Sequence, residues 1–160
     1  MVVSDVTAYV ASAGDGRNVA WSYWLRGQAA SLSLTGARRL ETATPGLAGL
    51  TAVRLAVTTV IDRCHKLTRS LYPSKLVLVT NDEEGARLAR LALANRTHHP
   101  DGMVAAELAR LAYQAGKLRT MVFVRGPADL RESQTELLEK FVVKAEAALA
   151  SADELLGDHK

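Results

Sequence analysis

The chain is poor in cysteine: Cys64 is the only one among 160 residues. No internal disulfide can form and no cysteine-rich zinc site is available. A reducing, cytoplasmic compartment is the expectation. Long apolar runs are missing as well. None approaches the roughly 20 residues needed to cross a bilayer, and the opening "MVVSDVTAYV" lacks the basic stretch and long apolar segment of a secretory signal. No membrane partner is expected. Strong charge of one sign is also lacking. The net charge is +3, unevenly spread: residues 1–80 carry nine Lys/Arg against four Asp/Glu, and residues 81–160 eleven against thirteen. A basic first half suits contact with phosphates, although solvated surface charge is the simpler explanation. The nucleotide-binding pattern GxxxxGK[ST] is absent, so Gly14 and Gly16 in "GDG" read as turn residues.

What is present is a regular succession of elements in one domain spanning residues 1–160. "VTAYVASA" (6–13) is rich in strand formers. "GDGRN" is a turn, and "VAWSYWLRG" (19–27) alternates as a second strand, giving a hairpin. Residues 28–41 hold a third strand with Leu32 and Leu34 alternating. Thr44 is placed to cap a helix beginning at Pro45, with Leu47, Leu50, Val53, Val57, Val60 and Ile61 at mostly helical spacing. Arg54 and Arg63 fall on the face opposite. "KLVLV" (75–79) is a short unbroken apolar run, the mark of a strand buried on both faces.

A second helix is predicted from Asp82 to about Asn95. A third runs from Pro100 to about Gly116 with Met103, Leu108 and Leu111 inward. A fifth strand spans 118–126 and a final helix 133–156. The order β-β-β-α-β-α-α-β-α predicts an α/β fold. Its mixed five-stranded sheet has three antiparallel strands and then two parallel ones, flanked by helices.

Local clusters of reactive side chains read as structural. His98 and His99 are adjacent on a loop and point apart, and Asp101 suits a helix start; a metal needs three or four convergent ligands. Cys64 and His65 are helix neighbours facing different ways. On the second strand Trp21 and Tyr23 share one face and Trp24 takes the other. Core packing accounts for them, with an exposed base-stacking platform as the sharper alternative.

The element order resembles that of the ribonuclease H-like superfamily, and three segments carry the likeness. "TPGLAGLTAV" (Thr44–Val53) resembles the family's T-N-N-x-A-E-L-x-A-V through Thr44, Ala48, Leu50, Ala52 and Val53. "YVASA" (Tyr9–Ala13) stands where the family has Y-T-D-G-S. Thr80-Asn81-Asp82 stands where it has T-D-S. The resemblance implies hydrolysis of phosphodiesters by two magnesium ions held in clustered carboxylates. It also implies which positions should be acidic: Ala11, Gly49 and Asn81 occupy three of them. Aligning the last helix on Phe141 and Val142 puts Glu139 at the fourth.

Magnesium wants hard anionic oxygens, and Ala11 and Gly49 have none to give, while Asn81 offers one neutral oxygen. Glu139, with Asp82, is the remnant. The first expectation is therefore a degenerate, catalytically inactive module without a cofactor. It would act in binding or assembly, with a protein partner, self-association or nucleic acid. Arg17, Arg26, Arg38 and Arg39, at the strand ends, are the residues that would meet a nucleic-acid backbone. The second is a magnesium-dependent nuclease on RNA–DNA hybrid or structured nucleic acid, with ligands drawn from Asp5, Asp15, Asp82 and Glu139. A purely structural subunit of a particle is a third.

Overall fold

The computed structural model describes residues 5–27, 32–41, 44–68, 73–118 and 120–155, with the backbone alone for 64–68 and 155. The strands are β1 (Val6–Gly14), β2 (Asn18–Arg26), β3 (Leu32–Arg39), β4 (Lys75–Thr80) and β5 (Met121–Arg125). The helices are α1 (Leu47–Thr68), α2 (Glu83–Leu93), α3 (Gly102–Lys117), α4 (Glu132–Ala150) and the short α5 (Ala152–Leu155). They form one five-stranded sheet in the order β3-β2-β1-β4-β5. β1–β2 and β2–β3 pair antiparallel, and β1–β4 and β4–β5 pair parallel. The predicted mixed sheet is present in full.

The β1–β2 turn is fixed by Asp15, whose Oδ1 accepts the amides of Arg17 (2.9 Å) and Asn18 (2.8 Å). The Asn18 amide first, then that of Arg17, holds the Asp15 carboxyl below its ordinary pKa. Gly16 supplies the positive φ of 89° that the turn needs.

Alternation along the strands divides the core in two. Val6, Ala8 and Val10 of β1 join Tyr23, Leu25, Leu76 and Leu78 beneath α1, with α2 and α3 behind. Tyr9 and Ala11 join Val77 and Val79 on the other face, under Leu138, Phe141 and Ala145 of α4. Both faces of β4 are buried, as its unbroken apolar run requires. No helix among the described residues is long and apolar enough to cross a membrane.

Four local expectations are corrected. Thr44 does not cap α1: Pro45 and Gly46 form a turn (Gly46 φ 87°), the helix begins at Leu47, and the Thr44 hydroxyl donates to Asp101 Oδ2 instead. Met103 is 41% exposed and Val104 takes the inward place, because Val104, Leu108 and Leu111 fall at i, i+4 and i+7 on one helix face and Met103 lies off it. Arg54 does not face solvent. Its Nε donates to Glu107 Oε2 at 2.6 Å across the α1–α3 contact, and its side chain is only 14% exposed. The last helix breaks at Ser151 into α4 and α5. Asp153 of α5 then turns to Asn18 Nδ2 (2.8 Å) and Arg17 (3.6 Å) at the hairpin.

Candidate functional site

The C-terminal ends of β1 and β4 lie side by side, with Val10 opposite Thr80 as the last paired residues. One step further the backbone ladder ends, and the Asn81 side chain continues it. Its Oδ1 accepts the Ser12 N–H at 2.9 Å and its Nδ2 donates to the Ser12 C=O at 3.1 Å. A carboxamide is the side chain that can do both, because it carries an acceptor and a donor on one plane. A carboxylate would keep the first bond and set its second oxygen against the Ser12 carbonyl oxygen. Asn81→Asp is therefore expected to lower stability by about 1–3 kcal/mol, the range for leaving a buried polar partner unmet. Urea unfolding measures it, and a variant as stable as the parent would refute the clamp.

Asp82, the next residue, leaves the strand and caps α2. Its Oδ1 accepts the Gly85 N–H at 3.0 Å. Its Oδ2 turns to the first turn of α1 and accepts the Gly49 N–H at 3.2 Å. One carboxylate thus ties together the N-termini of two helices. The tie demands glycine on both sides. A Cβ built on Gly49 would stand 2.5 Å from Asp82 Oδ2 and 2.6 Å from Asp82 Cβ, and one built on Gly85 would stand 2.9 Å from Gly49 Cα. Gly49 is glycine because Asp82 fills the space where a side chain would begin.

Ala11 is fully buried on the α4 face. Its cross-strand neighbour Ser22 is buried too and is hydrogen-bonded to Thr35 (2.9 Å). Glu139 is exposed on α4. Asp5 lies at the far end of the sheet, where Ser74 Oγ donates to it at 3.0 Å. Among the described residues no three or more His, Cys, Asp or Glu side chains gather in a group able to hold a metal ion. A cavity of about 270 Å³ does open beside this region, lined by Gly14, Gly16, Thr44, Gly46, Ala48 and Asp82. Just beyond it Asp101 accepts the Met103 and Val104 amides at 2.8 and 3.3 Å as the cap of α3. The Thr44 hydroxyl, and after it the Met103 amide, hold the Asp101 carboxyl below its ordinary pKa.

The arginines fall into two groups. Arg17 sits in the hairpin, and the register Asn18↔Arg39 and Val19↔Arg38 brings Arg38 and Arg39 to the same end. Arg38 faces the α1 side and Arg39 the α4 side, as successive strand residues must. Arg26 is at the other end of β2, eight residues or roughly 27 Å away. It lies 5.6 Å above the Trp24 ring. Trp24 itself is stacked between Tyr9 (5.7 Å) and Phe141 (5.9 Å), and so is not an open platform. His98 is exposed while His99 accepts the Asp101 amide through Nδ1 at 2.9 Å, so the two diverge. The side chains of Cys64 and His65 lie outside the described residues.

Two features had no reading in the sequence. The Ser12–Asn81 clamp joins residues 69 apart. The group Arg54–Glu107–Arg110, built on the buried Glu107 with Arg110 Nη1 on its Oε1 at 2.8 Å, joins α1 to α3. The pair Glu107 and Arg110, three apart on one helix, was the one visible hint of the second.

No protein-family model matches the chain, and no curated protein matches its sequence. Solved structures do match. The ribonuclease H1 of Halobacterium salinarum is 15% identical with a TM-score of 0.61, over 92% of this chain and 99% of that one. The N-terminal ribonuclease H domain of a Mycobacterium tuberculosis protein is 9% identical with a TM-score of 0.65, over 96% and 99%. LC11 ribonuclease H1, solved in complex with an RNA/DNA hybrid, is 10% identical with a TM-score of 0.61, over 92% and 98%.

Proposed function

We propose that this chain, whose fold is ribonuclease H-like, is a catalytically inactive module that works by binding or assembly. The observation that carries the proposal is the employment of Asn81 and Asp82. Both side chains present oxygens near the expected site, and both are committed to backbone amides that close the sheet and join α1 to α2. Ala11 beside them is sealed under α4. These residues do not fit a pair of magnesium ions, which would need several anionic oxygens free to converge. A reducing, cytoplasmic setting belongs to the same proposal. The candidate partners are a protein, a second copy or a nucleic acid. Arg17, Arg38 and Arg39, gathered at one sheet end, support the last, with Arg26 too far away to share one contact.

The alternative is a divalent-metal nuclease with unconventional ligands. Its support is the likeness, over nearly the whole chain, to structures of ribonuclease H1, one of them with a bound hybrid. Magnesium separates the two readings. A site with a dissociation constant of about 0.1 mM would stabilise the fold by about 2.7 kcal/mol at 10 mM. In a chain of this size that raises Tm by roughly 5–10 °C. The inactive reading expects a shift below about 1 °C and no cleavage of a labelled RNA–DNA hybrid. Cleavage that disappears in Asp82→Ala or Glu139→Ala would overturn it.

A further inference from the structure

Helix α4 packs on β1 and β2 and reaches β3. β5, the rim strand, is left open on the same side of the sheet. The register Val77↔Phe123 and Val79↔Arg125 turns Phe123 and Arg125 to the α4 face, and Met121, two residues earlier, shares it. Met121 is 65% exposed and Phe123 41%. Lys75, opposite Met121 in the register, holds its Nζ 5.3 Å over the Phe123 ring. The result is a shelf with two apolar side chains set between Lys75 and Arg125. Neither cation makes an ion pair among the described residues.

The outward face of α4 carries the opposite pattern. Glu132, Glu136, Glu139, Val143 and Glu146 recur at helical spacing, and all are exposed, with Val143 at 60%. The four glutamates make no ion pair among the described residues. Val143 lies between Glu139 and Glu146, which are about 10 Å apart along the helix. That is close to the distance of about 13 Å from Met121 to Arg125 along the strand. Acid, apolar, acid on the helix therefore matches base, apolar, base on the shelf. An added strand is the other way to cover a rim, and here it is obstructed. Arg90 Nε and Nη2 donate to the Val124 C=O at 3.2 and 3.1 Å, so that carbonyl is already taken.

We propose that two copies of the chain pair through this side, α4 of each lying on the β5 shelf of the other. A helix stands proud of the sheet it covers, and the shelf is the step beside it. A two-fold axis then seats each helix in its partner's step, and the same contact is made twice. The pairing names the partner for the assembly role above and rests on that role, though not on the absence of hydrolysis. Each copy gives one helix face and one shelf, on the order of 500 Å² a side against the roughly 800 Å² of a standard interface. The dimer is therefore weak and depends on concentration.

Sedimentation equilibrium of the whole protein, from about 1 μM to about 1 mM, should show monomer and dimer exchanging with a dissociation constant of about 10–100 μM. Added salt should weaken the dimer, because its ion pairs stay near water. Two double variants test the contact. Lys75→Glu with Arg125→Glu makes the shelf acidic, and Glu139→Lys with Glu146→Lys makes the helix basic. Each sets like charges against one another in both halves of the dimer and should weaken association about tenfold or more. Mixed in equal amounts, the two should associate as tightly as the parent, since every charge then meets its opposite across the axis. Arg96→Glu, exposed in the α2–α3 loop on the other side of the sheet, should change nothing. Circular dichroism and thermal unfolding show that each variant keeps the fold. A chain that stays monomeric throughout the range would overturn the pairing. So would a dimer that neither double variant weakens, or a mixture that does not recover. Hydrolysis of the hybrid would sink inactivity while leaving the dimer standing, and a monomer without hydrolysis would do the reverse.

Discussion

Gly49→Glu, which places here the acid that the resembling pattern carries, should unfold more readily than the parent by about 3 kcal/mol, and Gly49→Ala by about 1–2 kcal/mol. Two effects oppose each other. Alanine gains up to about 1 kcal/mol over glycine inside a helix. Against that, the new Cβ lies 2.6 Å from the Cβ of Asp82, an atom no side-chain rotation can move aside. The backbones of α1 and α2 must separate. Separation breaks the Gly49–Asp82 bond and opens the contact between Gly49 and Gly85. The clash therefore decides the sign. Glutamate adds a like charge beside Asp82. Urea titration gives the difference directly. Asp82→Gly in the same chain should relieve part of the penalty, so the double-mutant cycle should show a coupling of about 1 kcal/mol. A Gly49→Ala variant as stable as the parent would contradict the helix tie.

The same contact shows how far the sequence could be read. The succession of the strands was legible because its signals are local, and their directions followed from the element order together with the resemblance. "GDGRN" makes a hairpin, and "KLVLV" is too apolar to be anything but a doubly buried strand. The likeness of the flanking residues to the resembling pattern made Ala11, Gly49 and Asn81 legible as positions to inspect. What each position does instead was not. The amide of Asn81 answers a backbone pair 69 residues away, and Arg54 answers Glu107 53 residues away. Neither partner leaves a mark near the other in the chain. Thr44 misled for a similar reason. A threonine before proline suits a cap by local rules, but Asp101, 57 residues on, takes its hydroxyl, and Gly46 with its positive φ moves the helix start to Leu47. The break at Ser151 has no glycine or proline to announce it; contacts of α5 with the β1–β2 hairpin set it there.

Ala11→Asp is the other large effect expected, about 3–5 kcal/mol of stability lost at pH 7. Ala11 is fully buried, with Leu138, Phe141 and Ala145 of α4 closing over its face of the sheet. The buried polar groups among the described residues include no cation to meet a carboxylate there. The hydroxyl across from it on β2 is Ser22, already bonded to Thr35. An ionised group without a partner in such a place costs several kcal/mol, and the protein avoids part of that by keeping the acid protonated, so its pKa rises. The sign of the pH dependence follows. The folded variant holds its proton where the unfolded chain has released it, from about pH 4 upward. Its deficit against the parent should grow as pH rises from 4 and level off above the raised pKa. Below pH 4 both states are protonated, and only the cost of crowding and of a neutral buried carboxyl remains. Magnesium gives the decisive comparison. Were the region a metal site lacking only its acids, Ala11→Asp would complete it, and 10 mM magnesium would return the lost stability through binding. With Asn81 and Asp82 already committed to backbone amides, magnesium should return none of it. Recovery in magnesium, or a variant as stable as its parent at pH 7, would mean that the sheet face beneath α4 is open to ions and that binding alone does not describe this chain.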